Sequence, residues 1–364
     1  MKARTILVIM LCLLLMFNIT GCTKKTYNRI TEKAPFPTEE WTRAYPEELG
    51  MSSEMLDKAD KRIKKAYPNI ESMLVVKEGY LVYEKYYKLN NETKIKDTYS
   101  VTKSFMSALT GIAIEKGLIS SIDDKVAEYI PEFSEYIDDE RKKDITIKQV
   151  LTMTGGLESI DNNYTSFFYS DDWLKAALAK PLVNSPGEVF VYNTGLTQLL
   201  SSVIANVSGM SVMDFAKENL FEKIGMNVTY WQSDKQGSNG GGSGLCLTSQ
   251  DMARFGYLYL NNGLWDNEQV IPAEWIEDSL KSYIKANDTQ DYGYLFWIEK
   301  ISDTVNSKTY SIFQAYGSGG QIIMVIPELD MVIVITCDRL ISPTVKPMTR
   351  AIITDYILPS AYME

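Results

Sequence analysis

The 364-residue sequence contains no histidine. Every catalytic device built on imidazole is thereby excluded, from Ser-His-Asp and Cys-His systems to the common histidine-bearing zinc sites. A serine that hydrolyses anything here must find its base in lysine, tyrosine or a carboxylate. Cysteine is scarce as well. Of four, Cys12 and Cys22 lie near the start, and the remaining Cys246 and Cys337 form neither a C-x-x-C pair nor a disulfide framework. They read as small buried apolar groups. Basic runs interleaved with aromatics are missing and the formal net charge is −10, which speaks against a nucleic-acid partner. No cofactor and no metal is implied. What is present, 45% apolar and 23% charged residues, is ordinary for a packed globular protein with a sizeable core.

The chain opens with Met1-Lys2-Ala3-Arg4, an apolar run over residues 6–17, and then Ile19-Thr20-Gly21-Cys22. An apolar core of that length is too short to span a bilayer comfortably and suits an export signal. Small residues before a cysteine resemble the bacterial lipobox, which implies cleavage after Gly21 and a lipid on Cys22; a plain signal peptide or a short anchor is the alternative. Residues 1–21 are then a leader, and the mature protein is lipid-anchored to the membrane outside the cytoplasm. Residues 22–50, polar and carrying Pro35, Pro37 and Pro46, read as a tether, and residues 51–360 as the folded domain.

Within that domain the pattern predicts a helix from an N-cap at Ser53 to about residue 67, with Met55, Leu56, Ala59 and Ile63 on one side. β-rich runs at 73–77 and 81–87, separated by Glu78-Gly79, predict a hairpin. Further runs at 294–299, 310–315, 321–326 and 331–337 and a closing helix over 345–357 lie near the other end. Strands from both ends with helices between them predict an α/β (α+β) fold. One antiparallel sheet is assembled from 51–104 and 286–360 and flanked by helices, with a mostly α insertion over 105–285 and the site in the crevice between them. The glycine-rich segment 237–244 reads as a flexible loop or as a close approach of backbone to a ligand.

The stretch that organises the rest is 99–117, YSVTKSFMSALTGIAIEKG. Phe105, Met106, Leu109, Ile112 and Ala113 recur at helical spacing, which puts Ser100 and Lys103 on one face at the helix entry. An amine one turn from a hydroxyl either stabilises the alkoxide or, desolvated and neutral, takes the proton. The unpaired N–H groups of a first turn also favour a developing oxyanion. S-x-x-K alone carries little, since Ser282-Tyr283-Ile284-Lys285 repeats it with no apolar helix behind it. Two more stretches complete a site. In 186–195, PGEVFVYNTG, Tyr192 precedes an apolar helix and, held as phenolate beside an ammonium, is a candidate general base. In 316–321, YGSGGQ, glycines open a strand, where backbone N–H groups approach a ligand as an oxyanion hole requires.

In this order the parts resemble the serine β-lactamase and penicillin-binding-protein superfamily, in its class C, esterase and 6-aminohexanoate-dimer-hydrolase-like branch. Its motifs are S-x-x-K, then Y-x-N or Y-x-S, then K-T-G or H-x-G. The likeness covers nearly all of residues 49–358, including 117–133, 145–157 and 251–275. It implies Ser100 as the acylated nucleophile, Lys103 as its proton-shuttling partner and Tyr192 as the base that activates Ser100 and later water. It also implies Ser318, Gly319 and Gly320 as the third motif, with the N–H groups of Ser100 and Gln321 as the oxyanion hole. Two departures stand out. The polar role of the second motif falls to either Asn193 or Thr194, and Ser318 stands where a lysine or histidine is usual. Lys308-Thr309 is followed by Tyr310 and is no substitute. Lack of that cation implies a weaker grip on the carboxylate of a β-lactam. Glu158 and Asn162 have the Glu and Asn spacing of the class A E-x-x-L-N element by coincidence, and Glu158 and Asp161 are expected only to line the mouth of the cleft.

The resemblance implies a serine hydrolase acting on a small ester, amide or peptide through an acyl-enzyme. Two alternatives stand beside it. One is a D-Ala-D-Ala carboxypeptidase or β-lactamase acting on peptidoglycan or penicillins; the other is a non-catalytic lipoprotein that binds cell-wall fragments.

Overall fold

The computed structural model describes residues 27–339 and 346–362. The leader, Cys22 and Val345 lie outside the described residues. In chain order the strands are β1 (Ile70–Lys77), β2 (Tyr80–Tyr86), β3 (Lys96–Asp97), β4 (Tyr230–Trp231), β5 (Leu245–Leu247), β6 (Leu264–Trp265), β7 (Glu268–Gln269), β8 (Ile284–Lys285), β9 (Gln290–Tyr292), β10 (Trp297–Ser302), β11 (Thr309–Gly317), β12 (Gln321–Ile326) and β13 (Met331–Cys337). Eight of them form one sheet in the order β2-β1-β13-β12-β11-β10-β9-β8, antiparallel at each pairing. Both termini therefore contribute to it, as the placement of the apolar runs predicts. Glu78 and Gly79 join β1 to β2 at φ 52° and 83°, the left-handed pair a two-residue hairpin needs.

β12 and β13 are nearly continuous apolar runs because both faces of the sheet are covered. With period 2, Ile323, Val325, Val332 and Val334 face a core shared with α2 (Thr102–Glu115), α3 (Thr194–Ser208) and α4 (Ser249–Leu260). Ile322, Met324, Ile333 and Ile335 face the opposite core with α1 (Ser53–Ala66) and the C-terminal helical segment that starts with α5 (Lys346–Ile352). Gly256 brings α4 down onto the sheet, where an added Cβ would lie 2.6 Å from Val332 Cγ1 and 2.7 Å from Ile323 Cγ2. Gly256→Val is expected to lower stability by about 1–3 kcal/mol through overpacking, read as a fall in the urea midpoint at unchanged slope.

Several expectations are corrected. α4 lies within the stretch read as insertion yet packs on the sheet, and the sheet's far edge begins at β8, inside that stretch. Ser52, not Ser53, is the N-cap of α1, its side chain accepting from Met55 N at 3.3 Å. The strand expected at 294–299 is displaced to β10. Leu295 takes φ 61° and is tied inward, its N–H donating to the Leu151 carbonyl at 2.9 Å and its carbonyl accepting from Ser104 Oγ at 2.7 Å. The stretch read as tether is in large part folded: Ala34, Trp41 and Leu49 are buried, and Arg254 Nε donates to the Pro37 carbonyl at 2.8 Å. Burial of the Trp41 indole against Tyr257 outweighs the loop-like composition around it.

Candidate active site

A tight helical turn, Tyr99–Val101, carries Ser100 into α2. Tyr99 sits at φ 49°, a left-handed conformation that costs a non-glycine residue about 1–3 kcal/mol and persists only where neighbours impose it. Asp97, at the end of β3, is one such neighbour: its Oδ1 accepts from Tyr99 N at 2.8 Å and from Gly244 N at 3.2 Å. Burial pushes the Asp97 carboxyl above its ordinary pKa, and those two bonds oppose the shift. From the sheet side, Gly317 at the end of β11 allows close approach, because a Cβ there would lie 2.3 Å from the Thr98 carbonyl. The turn 318–320 is thus brought to the nucleophile's side. Ser100 and Ser318 line one cavity of about 390 Å³ together with Tyr192, Thr194, Trp297 and Arg339. Two larger surface grooves, of about 560 and 450 Å³, contain neither Ser100 nor Lys103.

Lys103 is fully enclosed at 1% exposure. Its Nζ lies 3.0 Å from Ser100 Oγ, 2.9 Å from Thr194 Oγ1 and 2.8 Å from the Gly242 carbonyl. Burial lowers its pKa to about 8, with the charge of Asp161 acting in the opposite sense. The directions of these bonds carry information. Thr194 Oγ1 donates to Asp161 Oδ1 at 2.8 Å, and Thr194 N donates to Asp161 Oδ2 at 2.7 Å, so the threonine hydroxyl can only accept from Lys103. The Gly242 carbonyl is an acceptor by nature. Of the three partners only Ser100 has a proton to give. A neutral Lys103 therefore keeps both other bonds and turns its lone pair on the serine.

Burial raises the pKa of the Tyr192 phenol well above 10, and interaction with the neighbouring Ser100 side chain opposes this. Its ring stacks on Trp297 with centroids 5.7 Å apart, and Lys103 Nζ lies 4.9 Å from the ring centroid. Asn193 and Thr194, left open by the sequence, are separated by the fold. Asn193 caps α3, its Oδ1 accepting from Gly195 N at 2.9 Å while its Nδ2 donates to the Leu157 and Glu158 carbonyls, each at 3.2 Å. Thr194 is the one that meets Lys103.

The glycine-rich segment is a close approach of backbone, and the group it approaches is the lysine. A Cβ on Gly241 would lie 1.9 Å from the Thr197 carbonyl, and one on Gly242 would lie 2.5 Å from Thr194 Cγ2 and 3.0 Å from Lys103 Nζ. Gly319 and Gly320 take φ 81° and 97° in the turn before β12. The side chain of Gln321 is engaged elsewhere, Nε2 donating to the Cys337 carbonyl at 2.7 Å and Oε1 accepting from Cys337 N at 3.0 Å. Only the backbone of Gln321 is left for a role in the cavity.

Asp161 reaches the cavity, while Glu158 stands 3.7 Å from Lys180. Lys308 lies over the Tyr362 ring and is not among the lining residues. Ser318 lines the cavity uncharged, as the sequence reads, but the lining also holds Arg339, which follows the end of β13. No motif marks it, and its distance from Ser100 along the chain hides it from sequence reasoning. Cys246 and Cys337 are free thiols. Among the described residues no group of three or more cysteine or acidic side chains is placed to hold a metal.

A family model described as Beta-lactamase matches residues 64–355. The chain belongs to the β-lactamase family. Penicillin-binding protein 4* of Bacillus subtilis is 26% identical to this β-lactamase-family chain over 230 residues, 59% of the chain and 42% of that protein. The chain thus spans less than half the length of that curated relative. A Bacillus anthracis structure described as a candidate 6-aminohexanoate-dimer hydrolase superposes with TM-score 0.70 at 22% identity, covering 92% of this chain and 89% of the other. EstCE1, described as a hydrolase with promiscuous acyltransferase activity, gives TM-score 0.67 at 14% identity over 85% and 99% of the two chains. Class C β-lactamases share the fold as well. This mixed α/β chain with its antiparallel sheet is therefore a hydrolase-family protein of β-lactamase fold.

Proposed function

We propose that the protein is a serine hydrolase that cleaves a small ester or amide through a covalent acyl group on Ser100. The observation that carries this reading is the enclosed Lys103 amine 3.0 Å from Ser100 Oγ, lowered to a pKa of about 8. At neutral pH roughly a tenth of such an amine is unprotonated, enough to serve as a general base. Lys103 takes the Ser100 proton as Oγ attacks the carbonyl carbon. The backbone N–H groups of Ser100 and Gln321 stabilise the resulting oxyanion. Tyr192, as a neutral phenol in the same cavity as Ser100, passes a proton toward the departing group, and water attacks the acyl-enzyme by the reverse sequence. The assignment of Tyr192 as a phenolate base is less favoured, because burial holds its proton on.

The test is intact-mass spectrometry of the protein after incubation with p-nitrophenyl butyrate, a linear amide, nitrocefin and a D-Ala-D-Ala peptide. A mass increase equal to the acyl group, lost in Ser100→Ala, is expected with the ester. Absence of an adduct and of turnover with all four would overturn the reading and favour a binding protein. Stable labelling with nitrocefin or the peptide would instead support the penicillin-directed alternative, for which the B. subtilis relative is the supporting comparison. Lipid attachment at Cys22 and a place outside the cytoplasmic membrane belong to the same proposal, tested by loss of metabolic palmitate labelling in Cys22→Ser.

The amine form of Lys103 increases with pH up to its pKa, so kcat/KM is expected to rise about tenfold per pH unit below about 8 and then level. The Asp161 charge favours the ammonium, so Asp161→Asn moves the midpoint of that rise to lower pH. Thr194→Val, which removes the hydroxyl between Asp161 and Lys103, is expected to weaken turnover in the same assay, whereas Thr194→Ser retains it.

A further inference from the structure

The face of the sheet that α1 covers takes no part in the chemistry at Ser100, yet it carries a charge pattern at odds with the rest of the chain. The formal net charge of the whole is −10. Within α1, five cationic side chains stand against three acidic ones, and residues 85–96, the end of β2 and the loop beyond it, hold four against one. Resting on the reading that places the protein at a membrane, we propose that α1 and this loop form a docking surface for an anionic phospholipid bilayer.

The cations of α1 are ordered. Lys58, Lys61, Arg62 and Lys65 stand at i, i+3, i+4 and i+7, one stripe directly opposite the buried Leu56, Ala59 and Ile63. The acids of the helix leave most of it uncompensated. Glu54 pairs with Lys58 at 2.8 Å, Asp60 pairs with Lys64 at 2.8 Å, and Asp57 accepts from the Tyr83 hydroxyl at 2.9 Å. Lys61, Arg62 and Lys65 have no carboxylate at ion-pair distance among the described residues. Arg62 instead lies over the Tyr67 ring, 5.1 Å from its centroid. A ring contact leaves the charge in place, and attraction to a charged lipid surface needs no vacant hydrogen bond.

The stripe continues onto the edge of the sheet, where β2 is the outermost strand. Ile63, Lys64 and Tyr67 at the end of α1 and Tyr86, Tyr87 and Lys88 at the end of β2 line one cavity of about 300 Å³. Beside it, Lys85 lies 5.3 Å from the Tyr83 ring centroid. Leu89 follows at the start of the loop and is 97% exposed; Ile95, next to Lys94 at the other end, is 38% exposed. A leucine held out in water among lysines is rewarded only on entering an apolar medium. Cations for the headgroups, tyrosines at the boundary and an aliphatic side chain beyond them are the parts of an interfacial surface. A soluble polyanion would engage the lysines and leave Leu89 in water. The start of the chain lies on the same side: Ile30, eight residues after Cys22, packs against the core beneath α1.

The test is co-sedimentation of the full mature chain carrying Cys22→Ser, so that no anchor contributes, with vesicles of phosphatidylcholine or of phosphatidylcholine mixed with phosphatidylglycerol. Binding is expected only to the mixed vesicles and is expected to weaken about tenfold or more between about 0.1 M and about 0.5 M salt. It is also expected to fall about tenfold or more in the triple variant Lys61→Gln, Arg62→Gln, Lys65→Gln and in Leu89→Asp. None of these residues lines the cavity of Ser100, so turnover of p-nitrophenyl butyrate stays at the parent rate, and the urea midpoint checks the fold independently of turnover. No binding to either vesicle, equal binding to both, or binding left intact by the triple variant overturns the docking surface. Binding left intact by Leu89→Asp overturns it too, in favour of a soluble polyanion, for which competition by inorganic polyphosphate is the check. Absence of palmitate labelling at Cys22 would count against the anchor alone, because the vesicle measurement does not use it.

Discussion

Lys103→Met is expected to reduce kcat/KM on p-nitrophenyl butyrate by about a thousandfold, the middle of the range for loss of a general base. Methionine matches the length and apolar stem of lysine but offers no proton acceptor, and it leaves the Thr194 hydroxyl and the Gly242 carbonyl without their partner. Each such buried group costs about 1–3 kcal/mol when unsatisfied, partly offset because a depressed amine no longer has to be buried. Circular dichroism and the urea midpoint check that the fold is retained. Lys103→Arg gives the sharper answer. A guanidinium keeps positive charge near Ser100 but cannot lose its proton at any working pH. If Lys103 acted only by stabilising an alkoxide, the arginine variant would keep a substantial share of activity. If it acts as the base, arginine is as inactive as methionine.

Tyr192→Phe is expected to lower kcat by about 100- to 10,000-fold with little change in stability, since the ring and its stacking on Trp297 are kept. The pH profile of the wild type distinguishes the two roles the phenol can take. A phenolate base with its pKa raised well above 10 would make kcat/KM climb beyond pH 10. A neutral proton carrier working with an amine of pKa about 8 predicts a plateau from roughly pH 8 or 9. A continued climb would return the base to Tyr192.

Much of the fold was legible because its central strands β12 and β13 are apolar on both faces and therefore stand out as short unbroken runs. β12 and β13 fall where those runs predict, and the β1–β2 turn announces itself through Glu78-Gly79. The failures have local causes. Leu295 is held in a left-handed turn by Leu151 and Ser104, contacts that no window of sequence contains, so β10 begins later than its apolar residues suggest. Trp41 is one large residue in a polar stretch, and composition averages it away although its burial anchors the stretch. At the site, Ser100, Lys103 and Tyr192 were legible from spacing and order, and the structure brings them together. The choice between Asn193 and Thr194 required the helix cap to be seen. Asp161 was expected only to line the mouth of the cleft, whereas its contact with Thr194 spans thirty-three positions of chain. Arg339 had no signal at all, because a lone arginine at a strand end is common.

The glycines that crowd around the lysine divide the protein into a part that can be engineered and a part that cannot. At 241 and 242 even one methyl group would collide with α3 or with the amine itself, so variation there strikes the proton chemistry first. The outer lining is different: Ser318 is exposed and lies outside the hydrogen-bonded chain that tunes Lys103. A library aimed at new acyl groups belongs on that outer surface, with the inner ring of small residues left untouched.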